Sequence, residues 1–212
     1  MLVVPATELQ WTVLVPMKAL PAAKSRLAQT VPAGWHVELV AAIRADTLRA
    51  VRAAARAARV LVITDVEDGI SGALVQSAPG LNGALRDGAD HAGQHWPRDG
   101  VAALVGDLPA LRPEDLDAAL VAAAGHAHAF VSDAAGTGTT LLTATPGTAL
   151  AARFGTGSAA RHAAHAVALD ASAGLRHDVD SVADLASAAM LGVGPATRAV
   201  LDRARLPGTM PA

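Results

Sequence analysis

Short apolar runs alternate along this chain with segments in which apolar residues recur every three or four positions. The first pattern is typical of buried strands, and the second is typical of amphipathic helices. Together they predict strands at residues 11–16, 59–65, 73–78, 101–106, 127–131 and 136–143, and helices at residues 35–58, 81–94, 158–165 and 181–191, with further helices beginning at Pro113 and Pro195. Strands that alternate with helices favour an α/β fold with a mainly parallel sheet.

The longest of these helices has a clear inner side. Its apolar positions place five side chains towards the core, namely Val37, Val40, Ile43, Leu48 and Val51. Its arginines fall mostly on the opposite side, as in a helix that packs on a sheet.

Composition limits the class of protein. The chain has 212 residues, enough for one α/β domain with a sizeable core, and its aromatic content of 2% leaves few stacking platforms for single-stranded nucleic acid. A net charge of −2 argues against a general polyanion-binding surface. Cysteine is absent, which excludes disulfides and thiolate metal sites. With no apolar run of membrane-spanning length and no basic leader, we expect a cytoplasmic protein that binds neither nucleic acid nor membrane.

Both lysines of the chain lie in the loop that follows the first predicted strand. Lys18 and Lys24 stand there with Arg26, whereas every other cationic side chain of the sequence is an arginine. Ligands of open α/β sheets bind at the carboxyl ends of strands, and ammonium and guanidinium groups suit phosphate. The loop is therefore a candidate phosphate site, although two solvated surface lysines in an arginine-rich chain explain the pattern equally well.

Three aspartates are candidates for a metal site. Asp107 follows a buried strand, and Asp178 and Asp180 are separated by one residue, so an extended backbone would point both carboxylates to one side. Carboxylates that converge at a strand end suit Mg²⁺, which also binds substrate phosphates. Two alternatives stay open at this point: Asp180 as the N-cap of the following helix, and Asp107 as a turn carboxylate.

Two glycine-rich loops combine backbone freedom with hydroxyl groups, at residues 136–139 and 154–158. Glycine lets backbone N–H groups approach an anion, and Ser158 stands at the start of a predicted helix, where negative charge is favoured. The alternative is two ordinary turns with Ser158 as a helix cap.

The histidines show no spacing typical of a metal site. We expect a surface or edge position for His126, His128, His162 and His165, because a zinc site needs a convergent third ligand. The role of His177, beside Asp178, stays open.

Taken together and in order, these segments resemble one known family, the guanylyltransferases of coenzyme F-420 biosynthesis that act on phosphoenolpyruvate or 2-phospho-L-lactate. The similarity runs through nearly the whole chain, at residues 15–18, 24–27, 106–111, 136–139, 153–162, 174–180 and 191–197.

The resemblance implies a single-domain nucleotidyltransferase over residues 1–212, Rossmann-like and similar to the glycosyltransferase-A fold, with a central mixed, mainly parallel sheet flanked by helices. From the sequence pattern we expect residues 206–212 to be a frayed tail. The resemblance further implies that Mg²⁺ is held by three residues, Asp107, Asp178 and Asp180. It also implies that the acceptor substrate is held by Thr139, Gly155 and Ser158, that the GTP phosphates face the catalytic cations Lys18, Lys24 and Arg26, and that the GTP base lies near Asn82.

The expected reaction is transfer of GMP from GTP to phosphoenolpyruvate, whose product passes to the next enzyme of the coenzyme F-420 pathway. The same reaction on 2-phospho-L-lactate is an alternative, although the alanine- and arginine-rich composition suggests a GC-rich bacterium, where the resemblance points to phosphoenolpyruvate. Another nucleotidyltransferase, such as a molybdenum-cofactor guanylyltransferase or a sugar-nucleotide enzyme, is disfavoured because residues 17–27 lack the glycines usual in its first loop. A non-catalytic nucleotide-binding regulatory module would not need three convergent aspartates.

Overall fold

The computed structural model describes residues 8–17, 34–66 and 72–204. Within these residues, seven strands form one sheet in the order β3-β2-β1-β4-β6-β5-β7. Their bounds are β1 Trp11–Met17, β2 Ala57–Thr64, β3 Leu74–Val75, β4 Gly100–Leu104, β5 His128–Ser132, β6 Thr139–Ala144 and β7 Val167–Ala168.

Helices occupy most of the connections between strands. Those in the described part of the chain are α1 His36–Ala53, α2 Leu81–His95, α3 Pro113–Ala123, α4 Ser158–Ala163, α5 Ala173–Arg176, α6 Val182–Leu191 and α7 Pro195–Ala204. None of the helices in the described ranges is both long and apolar enough to cross a membrane.

The sheet is mixed and mainly parallel, as the alternating pattern predicts. β1 pairs in parallel with both β2 and β4, and among the strands of the described residues only β6 runs against its two neighbours, β4 and β5. Helices cover both faces of β1, so Val13, Leu14 and Val15 are all completely buried. A strand that is buried on both faces has a continuous apolar sequence, which explains the unbroken first run.

One edge of the sheet collects the ends of several strands. β1 and β4 both end there, and Met17 lies against Gly106, just beyond β4. Because β6 runs in the opposite direction, its first residue, Thr139, lies at the same edge, where the Val105 N–H donates to the Thr140 carbonyl at 3.0 Å. The topology therefore brings Asp107 and Thr139 to one edge.

Some element bounds differ from the sequence prediction. Only Leu74–Val75 of the predicted strand 73–78 pairs with the sheet, and β6 begins at Thr139 because residues 136–138 form a turn. The turn contains Gly136 at φ 73°, and its N–H groups at Thr137 and Gly138 donate to the Asp133 carboxylate at 2.9 and 2.7 Å. A side-chain carboxylate that binds the backbone in this way competes with the sheet ladder.

The inner side of α1 also needs a correction. Val37 is 46% exposed, whereas Asp46 is 2% exposed. The Asp46 carboxylate accepts hydrogen bonds from the N–H groups of Ala196 and Thr197, at 3.2 and 2.7 Å, and thereby caps the start of α7. A buried charge is tolerated when backbone donors and a helix N-terminus stabilise it.

The same contact explains the glycine at position 194. Its N–H donates to the Pro109 carbonyl at 2.9 Å, and a Cβ at this position would overlap the Asp46 carboxylate. The segment at 191–197 is thus a docking element that seats α7 against α1 and against the loop after β4.

Candidate active site

The three predicted metal ligands converge. Asp107, Asp178 and Asp180 each offer a carboxylate oxygen, and these oxygens lie within 4.8 Å of one another. The Val179 N–H donates to the Asp107 carbonyl at 3.1 Å, which fastens the segment of Asp178 and Asp180 beside the end of β4. Asp107 and Asp178 are partly buried, and Asp180 is exposed. This segment lies outside the sheet, and its backbone hydrogen bond to Asp107 keeps Asp178 and Asp180 beside that residue.

The helix cap next to this cluster is Ser181 and not Asp180. The Asp184 N–H donates to Ser181 Oγ at 3.3 Å, and the Asp184 carboxylate in return accepts the Ser181 N–H at 2.8 Å. This reciprocal pair is a capping box. The alternative role considered for Asp180 is therefore filled by its neighbour.

The cluster has the chemistry of a magnesium site. Mg²⁺ binds carboxylate oxygens at 2.0–2.1 Å, so two oxygens on opposite sides of the ion are about 4.2 Å apart. The three oxygens lie within 4.8 Å of one another, a separation of the same order, so the carboxylates are close enough to share one ion. The donor set therefore fits the ion that the sequence predicts.

Arg176 joins the acidic segment to the neighbouring strand β5. Its guanidinium donates to the carbonyls of Ser132 and Asp133, at 3.3 and 3.0 Å, and its own carbonyl accepts the Ala134 N–H at 2.8 Å. Since Asp133 also organises the turn before Thr139, Arg176 links the acidic cluster to the start of β6. Nothing in the residues around Arg176 signals this contact, whereas Asp133 stands three residues before a glycine, which is a turn signature.

Thr139, Gly155 and Ser158, predicted to hold the acceptor, also lie together. Ser158 Oγ is 3.1 Å from Thr139 Oγ1, and the Ser158 N–H donates to the Gly155 carbonyl at 3.0 Å. Both hydroxyl-bearing side chains are buried, Thr139 at 6% and Ser158 at 2% exposed. The cap of α4 is Gly157, at φ 72°, so the interpretation of Ser158 as a plain helix cap is wrong.

The surface or edge position predicted for His162 is wrong. Its side chain is completely buried, packed against the rings of Phe130 and Phe154 at centroid distances of 6.1 and 5.1 Å. Nδ1 is 2.8 Å from Thr139 Oγ1, and Nε2 accepts the Arg153 N–H at 3.0 Å. Burial is the main cause that lowers the pKa of His162 to about 4, with smaller effects from His165, Arg161 and Arg153. The imidazole is therefore neutral at neutral pH. Nothing in the sequence signals the burial of His162, because its contacts with Phe130 and Thr139 join positions far apart in the chain.

Asn82 contacts the acceptor loop. Its amide Nδ2 donates to the Phe154 carbonyl at 3.1 Å, and its Oδ1 accepts the Phe154 N–H at 2.8 Å. These two hydrogen bonds hold the backbone of Phe154, the residue that precedes Gly155, in place. A contact between Asn82 and the GTP base stays a prediction. The candidate cations Lys18, Lys24 and Arg26 lie outside the described residues.

Comparison with known proteins identifies the family of the chain. The family model described as "Guanylyl transferase CofC like" matches residues 11–207. A phosphoenolpyruvate guanylyltransferase of Salinispora arenicola is 49% identical over 199 residues, which cover 88% of this chain and 91% of that protein. One from Streptomyces coelicolor is 45% identical over 211 residues, which cover 94% of this chain and all of that protein.

Solved structures share the fold at low sequence identity. A crystal structure of a putative nucleotide-diphospho-sugar transferase from Desulfovibrio desulfuricans superposes with a TM-score of 0.72 at 16% identity, over 92% of this chain and 95% of that one. A 4-diphosphocytidyl-2C-methyl-D-erythritol synthase gives 0.53 at 14% identity, over 87% and 99%. These likenesses support the expected nucleotidyltransferase fold, and the sequence matches over most of the chain give the narrower assignment. The chain belongs to the CofC-like family of guanylyl transferases and is an enzyme of that type.

Proposed function

We propose that this enzyme transfers GMP from GTP to phosphoenolpyruvate, giving enolpyruvyl-diphospho-guanosine and pyrophosphate, as a step of coenzyme F-420 biosynthesis. The observation that carries the proposal is the joint presence of two features. Relatives at 42–49% identity are named phosphoenolpyruvate guanylyltransferase, and the acidic cluster and the hydroxyl pair Thr139–Ser158 lie at one edge of the sheet. The cytoplasmic location and the transfer of product to the next enzyme stay predictions.

The reaction needs no strong general base. An oxygen of the acceptor phosphate attacks the α-phosphorus of GTP in line, a new P–O bond forms, and the bond to the β-phosphate breaks so that pyrophosphate leaves with the electron pair. The attacking phosphate is ionised at neutral pH, so no proton has to be removed from it. The chain's task is to align the two substrates and to compensate charge.

Asp107, Asp178 and Asp180 are the residues that would hold Mg²⁺. The bound ion would supply positive charge to the phosphate oxygens as negative charge shifts to the leaving group. Asp107 and Asp178, partly buried, are held by backbone bonds beside the end of β4. Thr139, Gly155 and Ser158 would orient the acceptor, and Lys18, Lys24 and Arg26 would bind the phosphates of GTP.

Pyrophosphate release tests the proposal directly. The enzyme is incubated with Mg²⁺ and one nucleoside triphosphate, either GTP or ATP, together with either phosphoenolpyruvate or 2-phospho-L-lactate. We expect release with GTP and phosphoenolpyruvate, and a product mass equal to the guanylylated acceptor. A dominant lactyl product in a competition with equal amounts of both acceptors would contradict the acceptor assignment but not the enzyme class, and an adenylated product would contradict the nucleotide assignment.

The division between the two substrates is tested by Lys24→Ala and Ser158→Ala. We expect the first to raise mainly the KM for GTP and the second mainly the KM for the acceptor. Loss of one hydrogen bond to a charged group costs roughly 1.5–3 kcal/mol, which is about ten- to a hundredfold in KM. Equal losses for both substrates in both variants would contradict separate subsites.

A further inference from the structure

The fold fixes the tautomer of the buried His162. Its Nε2 accepts the backbone N–H of Arg153 at 3.0 Å, so this nitrogen carries no proton. A neutral imidazole carries its single proton on one of its two nitrogens, which leaves Nδ1 as the protonated one. Nδ1 is 2.8 Å from Thr139 Oγ1. The Nδ1–H therefore donates to the Thr139 hydroxyl and cannot accept from it.

This direction decides how the two neighbouring hydroxyls use their protons. Thr139 and Ser158 have one hydroxyl proton each, and the contact between them, at 3.1 Å, uses one of the two. If the Nδ1 of His162 were an acceptor, it would take the other proton and the pair would have none left. Because Nδ1–H is a donor, one hydroxyl proton remains for a further acceptor, whichever hydroxyl carries it.

Nothing in the described ranges takes up that proton. The side-chain hydrogen bonds of Thr139 and Ser158 within those ranges are the contact with His162 and the contact between the two hydroxyls. Packing also keeps the arrangement in place, since Phe130 and Phe154 enclose the His162 ring and leave it completely buried. A buried donor proton without a partner costs free energy, so this hydroxyl pair is suited to a ligand that only accepts hydrogen bonds.

We propose that His162 is a positioning residue, which keeps the Thr139–Ser158 hydroxyl pair in the donor state for the phosphate or carboxylate of the acceptor substrate. The inference rests on the proposed function, because only that function says that the substrate at this site is the anion phosphoenolpyruvate. An ionised phosphate and an ionised carboxylate present only hydrogen-bond acceptors, so a site that binds them must supply donors. By donating to Thr139, His162 leaves a hydroxyl proton of the pair for the substrate, and it does not contact the substrate itself.

Arg153 gives the histidine a second, structural contact that an experiment must separate from the first. The His162 ring holds the Arg153 N–H on one side and Thr139 on the other, so its removal would affect both the loop before Gly155 and the hydroxyl pair. Two amide variants divide these functions. The amide N–H of His162→Asn lies near the former Nδ1 and can donate to Thr139, whereas the amide oxygen of His162→Gln lies near the former Nε2 and can accept from Arg153.

Steady-state kinetics of the pair tests the proposal, with phosphoenolpyruvate and GTP varied in turn. Without Nδ1–H, the Thr139 hydroxyl can turn its proton towards position 162, and the substrate anion then loses one hydrogen bond. For this reason we expect His162→Gln to raise the KM for phosphoenolpyruvate by about tenfold, and His162→Asn, which keeps a donor beside Thr139, to raise it by less than about threefold. The KM for GTP should stay within about twofold of wild type in both variants. If His162→Gln matched wild type while His162→Asn lost acceptor affinity, the histidine would serve only to hold Arg153, and the proposal would be wrong.

The tautomer is measured independently of turnover. In a ¹⁵N-labelled wild-type sample at neutral pH, long-range proton–nitrogen correlations of the imidazole rings distinguish protonated from unprotonated nitrogens, and the His162 signals are those lost in His162→Asn. We expect a protonated Nδ1 and an unprotonated Nε2. A protonated Nε2 would overturn the proposal whatever the kinetics. A wild-type enzyme that turned over neither acceptor would overturn the proposed function, while the tautomer would still decide the hydrogen-bond assignment.

Discussion

The burial of His162 predicts that the protein loses stability in mild acid. Burial lowers the pKa of this side chain from 6.5 to about 4 in the folded protein. Between these two pH values the unfolded chain binds a proton that the folded chain does not, so protonation favours unfolding. The loss of stability begins near pH 6.5, grows as the pH falls, and is complete below the pKa of the folded state, about 4. The perturbation that tests this is His162→Asn, which removes the titrating group and retains an amide donor.

The size of the effect follows from the two pKa values. A shift from 6.5 to about 4 corresponds to about 3 kcal/mol in the free energy of unfolding, since one pKa unit is about 1.4 kcal/mol. Integration between pH 7.5 and pH 5 gives a loss of about 2 kcal/mol from this one histidine. That is a large part of the 5–15 kcal/mol typical of a folded domain.

Urea unfolding at pH 7.5, 6 and 5 measures this loss. Carboxylates and other histidines also titrate in this range, so the quantity to compare is the change in unfolding free energy of wild type minus that of His162→Asn. We expect the wild type to lose about 2 kcal/mol more than the variant between pH 7.5 and 5. His95→Asn, which removes an exposed ring, is the matched control and should follow the wild type. Parallel pH profiles for wild type and His162→Asn would refute the reasoning, because they would mean that His162 is protonated as readily in the folded state as in the unfolded one.

Three further substitutions test the acidic cluster and the contacts around it. Asp178→Asn should abolish most pyrophosphate release while the melting temperature stays near wild type. Asp202→Asn, at an exposed position, is the control. A near-normal rate of Asp178→Asn at saturating Mg²⁺ would contradict the metal role. Asn82→Ala removes two hydrogen bonds to the Phe154 backbone, so it should lower the free energy of unfolding by about 1–3 kcal/mol and raise the KM for the acceptor. A rise confined to the KM for GTP would instead favour a contact between Asn82 and the base. Gly194→Ala forces a Cβ against the Asp46 carboxylate and should cost about 1–3 kcal/mol in urea unfolding, and an unchanged midpoint would show that α7 can shift at no cost.

The order of elements and the family were readable from the sequence. Continuous apolar runs such as the one around Val13 have a physical cause, namely burial on both faces of a central parallel strand, and they therefore mark strands without any structure at hand. The aspartates were readable for a related reason. Asp107 directly follows such a run, and the spacing of Asp178 and Asp180 is short, so the sequence predicted a carboxylate cluster suited to a hard cation. The structure confirms that the three carboxylates converge, and metal binding stays a prediction.

The contacts that organise the site were decided by tertiary structure. His162 and Thr139 are 23 positions apart, and Asn82 and Phe154 are 72 apart. No periodicity links such pairs. A histidine among alanines on a short helix has the same local pattern whether the helix side faces solvent or the core, so its surface prediction was wrong. The burial of Asp46 is likewise decided by a distant segment, because its carboxylate accepts the N–H groups at the start of α7.

The sequence by itself determined the alternation of strands and helices and named the acidic triad as a candidate site, because these depend on local spacing and on residue types that stand next to recognisable strands. The family followed from the resemblance of several short segments in their order along the chain. Only the tertiary structure decided which polar side chains are buried and what they bind. Burial of His162 depends on Phe130 and Phe154, which belong to different parts of the chain, and the direction of its hydrogen bonds depends on the backbone N–H of Arg153. A hydrogen bond needs both partners within about 3 Å, and for positions this far apart only the folded chain can set that distance.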